Sequence, residues 1–320
     1  MKKQIQNQTN QKGSLTMNTT NICKIAAFSE ERYDKKDMLN EMMALQREMV
    51  QVAFDGTNND AKIWDVTRRL KEQNETLHHA ADPELDAFEQ QAKTFANLVK
   101  AHISGIRGER YVQQRLDTLK GYQSILRNVE LCSGDARTEL DFIVITCKGI
   151  CILEVKNTKK NIFISEDGDY YRTGTYMCYE YNLREKMELR EQLLRDVLQD
   201  AGVCNPNIYS MVAFTNNRIE IQNRCPQIHP VFLDQLPSAI YNVGGWNLYS
   251  TNTVENMTYA IRQAQSHETY APDMDMQAFK ESFVAVIDAL ETAKQNKARF
   301  HSLFSFIRQM FKKAAVPQAA

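Results

Sequence analysis

The stretch ELDFIVITCKGICILEVKN, residues 139–157, sets ionisable side chains inside apolar, β-branched runs. Asp141 interrupts the first run, and Glu154 and Lys156 interrupt the second. An ionised group left there without a partner costs several kcal/mol. Glu154 and Lys156 are two places apart in a strand and leave the same face. A two-residue turn at Cys147-Lys148 sets Asp141 opposite Glu154, and one at Lys148-Gly149 sets it opposite Lys156. Either register gathers all three side chains on one face, whereas a three-residue turn sends Asp141 to the other. The bland alternative is an Asp–Lys pair at a sheet rim with Glu154 in solvent. Against it, two carboxylates at cross-strand range repel unless a cation lies between them. Oxygen ligands of this kind, completed by water, suit Mg2+ or Mn2+.

A third carboxylate, Glu109 in GIRGERYV, is expected near the start of the preceding helix, where the helix dipole favours an acid. Gly105 and Gly108 beside it read as turn or close-packing glycines.

The pieces GIRGERYVQQRLDTL, ELDFIVITCKGICILEVKN and IFISEDGDYY follow one another in the chain. Together, over residues from about 104 to 216, they resemble the nuclease-related domain (NERD), a branch of the PD-(D/E)xK nuclease superfamily. The resemblance implies an α/β, mixed-sheet nuclease core whose catalytic residues are Glu109, Asp141, Glu154 and Lys156. It implies that Asp141 and Glu154, with the carbonyl of Val155, hold Mg2+ or Mn2+, and that Lys156 positions the attacking water. Glu109 would complete the metal shell directly or through water. The implied reaction is phosphodiester hydrolysis in a nucleic acid, with DNA as the expected partner. The alternative is a catalytically weak or inactive nuclease-like domain kept for nucleic-acid binding or scaffolding. Family members often carry an Asn-Pro-x-x-Gln element where this chain has NLREK, with Leu183 for Pro and Lys186 for Gln. Gln192 lies further along the same expected helix. Arg107, Arg110, Lys159 and Lys160 are candidate phosphate contacts, each equally readable as a solvated surface charge.

The elements that must hold these residues fall into regions of different period. Residues 1–28, rich in Gln, Asn and Thr, read as a disordered tail without the apolar segment of a secretory signal. Residues 29–103 carry long helical periodicity, with Met38, Leu39, Met42, Met43, Leu45, Met49 and Val50 on one broad stripe. FDGTNND reads as a loop between antiparallel helices, and a further helix starts with Asp82 as its N-cap and Pro83 in its first turn. A helical bundle for packing or homo-oligomerisation is the expectation. Residues 104–242 alternate helix and strand periods as one α/β domain, with a hairpin turning at Asp167-Gly168 and a polar helix ending at Gly202. Residues 252–313 return to helix, ending in a basic amphipathic segment with Phe300, Leu303, Phe304, Ile307 and Phe311 on one face.

Composition narrows the function classes. Of the 320 residues 43% are hydrophobic and 25% charged, ordinary values for a globular chain. A net charge of −1 gives no global pull toward nucleic acid, so any such affinity must come from local basic patches. Seven cysteines show no CxxC spacing, and the six histidines form no metal-binding pair; His78 and His79 are expected on a polar helix surface. Buried free thiols and a cytoplasmic location follow from that cysteine usage, and no run is long enough to span a membrane.

Overall fold

The computed structural model describes residues 35–314 except 59, 245–247 and 267–272. The expected tail at 1–28 lies outside these. The described chain divides into two compact units, one from residues up to Lys100 together with those from Tyr270 onward, the other spanning Ala101–Thr269.

The first unit is helical. Its helices are α1 (Lys35–Ala53), α2 (Ile63–Thr76), the portion of α3 (Asp82–Leu116) up to Lys100, and α7 (Met276–Ala314). Met38, Met42, Leu45 and Met49 of the sequence stripe are buried with Ile63, Val66 and Leu70 of α2. Phe88 and Phe95 of α3 stack on Phe279 of α7 with ring centroids 5.7 and 4.7 Å apart. The stripe that suggested homo-oligomerisation is therefore covered by helices of the same chain. Phe300 and Leu303, near the end of α7, are exposed. His78 and His79 sit in the turn after α2 with φ of 59° and 61°, and not on a helix surface as expected. The chain reverses there toward α3, and a left-handed pair makes the reversal. Asp82 lies inside the first turn of α3, where its carboxylate accepts a 2.6 Å hydrogen bond from the Asn74 side chain.

The second unit is α/β. Five strands, β1 (Gln123–Ser133), β2 (Ala136–Thr146), β3 (Ile150–Lys156), β7 (Ile208–Phe214) and β9 (Pro230–Phe232), form a sheet ordered β1-β2-β3-β7-β9. The β1–β2 and β2–β3 pairs are antiparallel, and β3–β7 and β7–β9 are parallel. The FIVI run of β2 is apolar throughout because both faces are covered. Phe142 and Val144 pack with Val112 and Leu116 of α3. Ile143 and Ile145 share a core with Leu194 and Leu198 of α4 (Leu183–Asp200). Val254, Met257 and Ile261 of α6 (Thr251–Ala264) join the same core, and the short α5 (Leu236–Tyr241) packs on the α3 side.

A second sheet was not expected. It is ordered β6-β5-β4-β8, from β4 (Asn161–Ile164), β5 (Asp169–Thr173), β6 (Cys178–Asn182) and β8 (Ile221–Asn223). The β4–β5 hairpin turns at Asp167-Gly168 as read from sequence, with Gly168 at φ 90°. Strands β6 and β8 are short and carry no clear alternation, which hid them. Glu109 also does not lie near the start of its helix as expected, since α3 runs 35 residues from Asp82 through Gly105 and Gly108. Cys132, Cys178 and Cys204 are exposed, so only part of the expected thiol burial holds. Cys151 is buried, and burial pushes its thiol up to about 12.

Candidate active site

The β2–β3 turn decides the register. Thr146 donates its backbone N–H to the Gly149 carbonyl, which leaves Cys147-Lys148 as the two-residue loop. Phe142 pairs with Leu153, and the next place along sets Asp141 opposite Glu154. The alternative register, with Asp141 opposite Lys156, is not the one adopted. Beyond this point the ladder changes character. The backbone N–H of Val155 donates 2.8 Å to Oδ2 of Asp141, so a side chain takes the bond that a strand carbonyl would.

Glu154 is 2% exposed and Asp141 8%. Lys156 Nζ reaches Glu154 Oε1 at 2.5 Å, and Lys186 Nζ reaches the same oxygen at 3.3 Å. Arg190 donates from Nη1 to Glu154 Oε2. Three cations from two elements thus converge on one carboxylate. Burial alone would push the Glu154 carboxyl up, but Lys156, Arg190 and Lys186 together hold it well below the usual carboxylate range. Burial also lowers Lys186, and the attraction of Glu154 offsets this only in part. For Lys156 burial works the same way, yet Glu154 wins and raises it. Asp141 raises both Lys186 and Arg190 through its charge, which places its carboxylate in the same electrostatic field.

Tyr181 of β6 lies close to two of the cations. Its ring centroid is 5.1 Å from Lys156 Nζ and 5.2 Å from Lys186 Nζ, and Tyr170 stacks on it at 5.6 Å. The second sheet therefore supplies an aromatic wall to the site.

Helix α4 is aimed by its own cap and stripe. Asn182 precedes it and accepts a 2.9 Å hydrogen bond from the Glu185 N–H. Leu183, Met187, Arg190 and Leu194 are buried, which places a guanidinium in an otherwise apolar helix face. Arg190 also donates toward Thr138 Oγ1 at 3.4 Å. Lys186 stands one turn earlier, on the Glu154 side. In sequence, the signal for this pair was the charge interrupting the apolar stripe of α4.

Other expected residues have their own partners. Glu109 is 2% exposed, and Arg127 Nη2 of β1 bonds it at 3.0 Å. Gln192 donates to Asp196 on the exposed side of α4 and plays no part here. Arg107, Arg110, Lys159 and Lys160 are all exposed. Asn157, next to Lys156, ties three elements together. It donates to the Ser104 carbonyl at 2.8 Å and accepts from Thr215 Oγ1 at 2.7 Å. Gly108 lets α3 approach, since a Cβ there would meet the Asn157 Cβ at 2.8 Å.

Two carboxylates and a neighbouring carbonyl are donors of the type that binds Mg2+ or Mn2+ with waters retained. Among the described residues no group of three His, Cys, Asp or Glu side chains could hold a metal ion. No helix among the described residues is long and apolar enough to cross a membrane. No curated protein and no solved structure matches the chain. Residues 104–215, the segment holding every side chain of this site, match the family model of the nuclease-related domain and bear out the resemblance read from the sequence there.

Proposed function

We propose that this chain is a metal-dependent nuclease that hydrolyses phosphodiester bonds in DNA. The observation that carries the reading is the convergence of Asp141, Glu154 and Lys156 at the end of the β2–β3 hairpin, within the nuclease-related segment. Asp141, Glu154 and the Val155 carbonyl would hold Mg2+ or Mn2+. The ion, when bound, polarises a phosphoryl oxygen and acidifies a water. Asp141 is fixed for this by the Val155 N–H. Lys156 keeps its proton, because Glu154 outweighs burial, and so orients the attacking water and stabilises the charge that develops as the P–O bond breaks. Glu109, buried and bonded by Arg127, would complete the metal shell directly or through water. The exposed Arg107, Arg110, Lys159 and Lys160 serve as phosphate contacts. A cytoplasmic location, expected from the cysteine usage, belongs to the same reading.

A second reading is favoured by the three cations on Glu154: a nuclease-like domain that binds nucleic acid without cutting it. One experiment separates the two. Full-length protein is incubated with Mg2+ or Mn2+, and in parallel with chelator, on single- and double-stranded DNA and RNA. Ion-dependent cleavage is expected, and Asp141→Ala or Lys156→Ala should lower it by about a hundredfold or more with circular dichroism unchanged. Salt-sensitive binding without cleavage would establish the second reading. Equal cleavage by wild type and both variants would remove these residues from the chemistry.

A further inference from the structure

The carboxylate that should meet a divalent ion is already neutralised by the chain itself. Oε1 of Glu154 faces Lys156 and Lys186, and Oε2 faces Arg190. An approaching ion therefore competes with three positive side chains for one carboxylate.

The three are not equally fixed. The Arg190 side chain is 3% exposed, is held by Thr138 and Met187 as well as Glu154, and lies in the buried stripe of α4. The Lys156 side chain is 18% exposed, neighbours Glu154 on its own strand, and lies over both Tyr170 and Tyr181. Lys186 shares the Tyr181 ring, at 5.2 Å, but is held less closely. Its side chain is 39% exposed, and its 3.3 Å contact to Glu154 is longer than the 2.5 Å contact of Lys156. Lysine is also a flexible point charge, able to change partner without the planar geometry a guanidinium demands. Of the three, Lys186 is the cation that can leave.

Resting on the nuclease reading above, we propose that Lys186 is a displaceable counter-charge. It occupies Glu154 in the resting site and moves onto a substrate phosphate when nucleic acid arrives, leaving the divalent ion two cations instead of three to compete with at Glu154. Ion and nucleic acid then bind with positive coupling, each raising the affinity for the other by the same factor. An ion without substrate meets a carboxylate held by cations. A phosphate without the ion still gains the lysine. The site is thereby protected from loading in the absence of nucleic acid.

Mn2+ binding to full-length protein, followed by electron paramagnetic resonance and calorimetry, tests this without recourse to activity. Lys186→Gln and Lys186→Met remove the counter-charge, and thermal melts identify any variant that has lost its fold. Both variants should bind Mn2+ roughly tenfold more tightly than wild type in the absence of nucleic acid, the size expected for deleting one nearby positive charge at intermediate dielectric. Adding a short phosphorothioate-substituted single-stranded DNA should raise the Mn2+ affinity of wild type and raise that of the variants much less. Asp141→Asn should abolish the gain, since the ion then lacks one of its two acidic ligands. Equal Mn2+ affinity in wild type and Lys186 variants, with Asp141-dependent binding in all, overturns the counter-charge and leaves the nuclease reading standing. A gain that survives Asp141→Asn puts the ion elsewhere and also overturns it. No Mn2+ binding by any form, with or without DNA, removes both ideas together.

Discussion

At the scale of single residues, Glu154 determines the character of the site. Two carboxylates at cross-strand range are expected to repel, so that neutralising Asp141 would relieve strain. The chain instead supplies the cations, and Asp141 accepts the Val155 N–H at 2.8 Å. Asp141→Asn should therefore lower stability, by about 1 kcal/mol, as expected when a charge-assisted hydrogen bond becomes a neutral one; thermal melts check the direction. Glu154→Gln leaves the buried Arg190 and the partly buried Lys156 without their anion and should cost about 3 kcal/mol at neutral pH. Its pH dependence has a definite sign. Glu154 titrates lower in the folded chain than its ordinary 4.5, so its contribution is complete above pH 4.5 and is lost as pH falls toward the folded value. The melting-temperature gap between wild type and Glu154→Gln should be constant from pH 5 to 7 and narrow below about pH 4.5. A gap unchanged down to pH 3 would show that the carboxylate charge is not what stabilises this site.

At the scale of elements, two glycines of one short motif have opposite consequences. Gly105 has open space where a side chain would begin, so Gly105→Ala should stabilise α3 by about 0.5–1 kcal/mol through helix propensity alone. Gly108 faces the end of β3, where a Cβ would come within 2.8 Å of the Asn157 Cβ and 3.2 Å of Val155 Cγ1. Those neighbours are short side chains pinned close to the backbone, so α3 or β3 has to shift. Gly108→Ala should cost about 1–3 kcal/mol, and chemical denaturation of both variants gives the comparison. The shift acts on Val155 and Asn157, which flank Lys156. Gly108→Ala should accordingly impair any Asp141-dependent function more than its stability loss alone accounts for.

At the scale of the whole molecule, the helical unit draws its core from both ends of the chain. Phe88 and Phe95 precede the α/β unit in sequence and Phe279 and Phe283 follow it, yet they pack ring against ring. Phe279→Ala should destabilise the helical unit by about 3–5 kcal/mol, the usual cost of emptying a buried aromatic site. Limited proteolysis should then cut within residues 35–100 at a protease level that spares the wild type. Resistance equal to wild type would mean that α1, α2 and the first part of α3 hold together without α7.

What the sequence determined by itself is local. A two-residue turn and strand alternation brought Asp141, Glu154 and Lys156 to one face, because strand period and turn length involve only neighbouring residues. The stripe of α1 and the turn at Asp167-Gly168 were legible for the same reason. The turn left two registers open, and the bond from the Thr146 N–H to the Gly149 carbonyl chose between them. Helix α4 read as a polar helix, and nothing in its period says which strand lies beneath it. Only the tertiary structure brought Lys186 and Arg190, 32 and 36 residues along the chain, onto Glu154. It likewise set Arg127 on Glu109 and Phe279 on Phe95. Partners of a buried charge are fixed by which elements pack together, and that packing is decided by the apolar faces around the charge rather than by the charge itself.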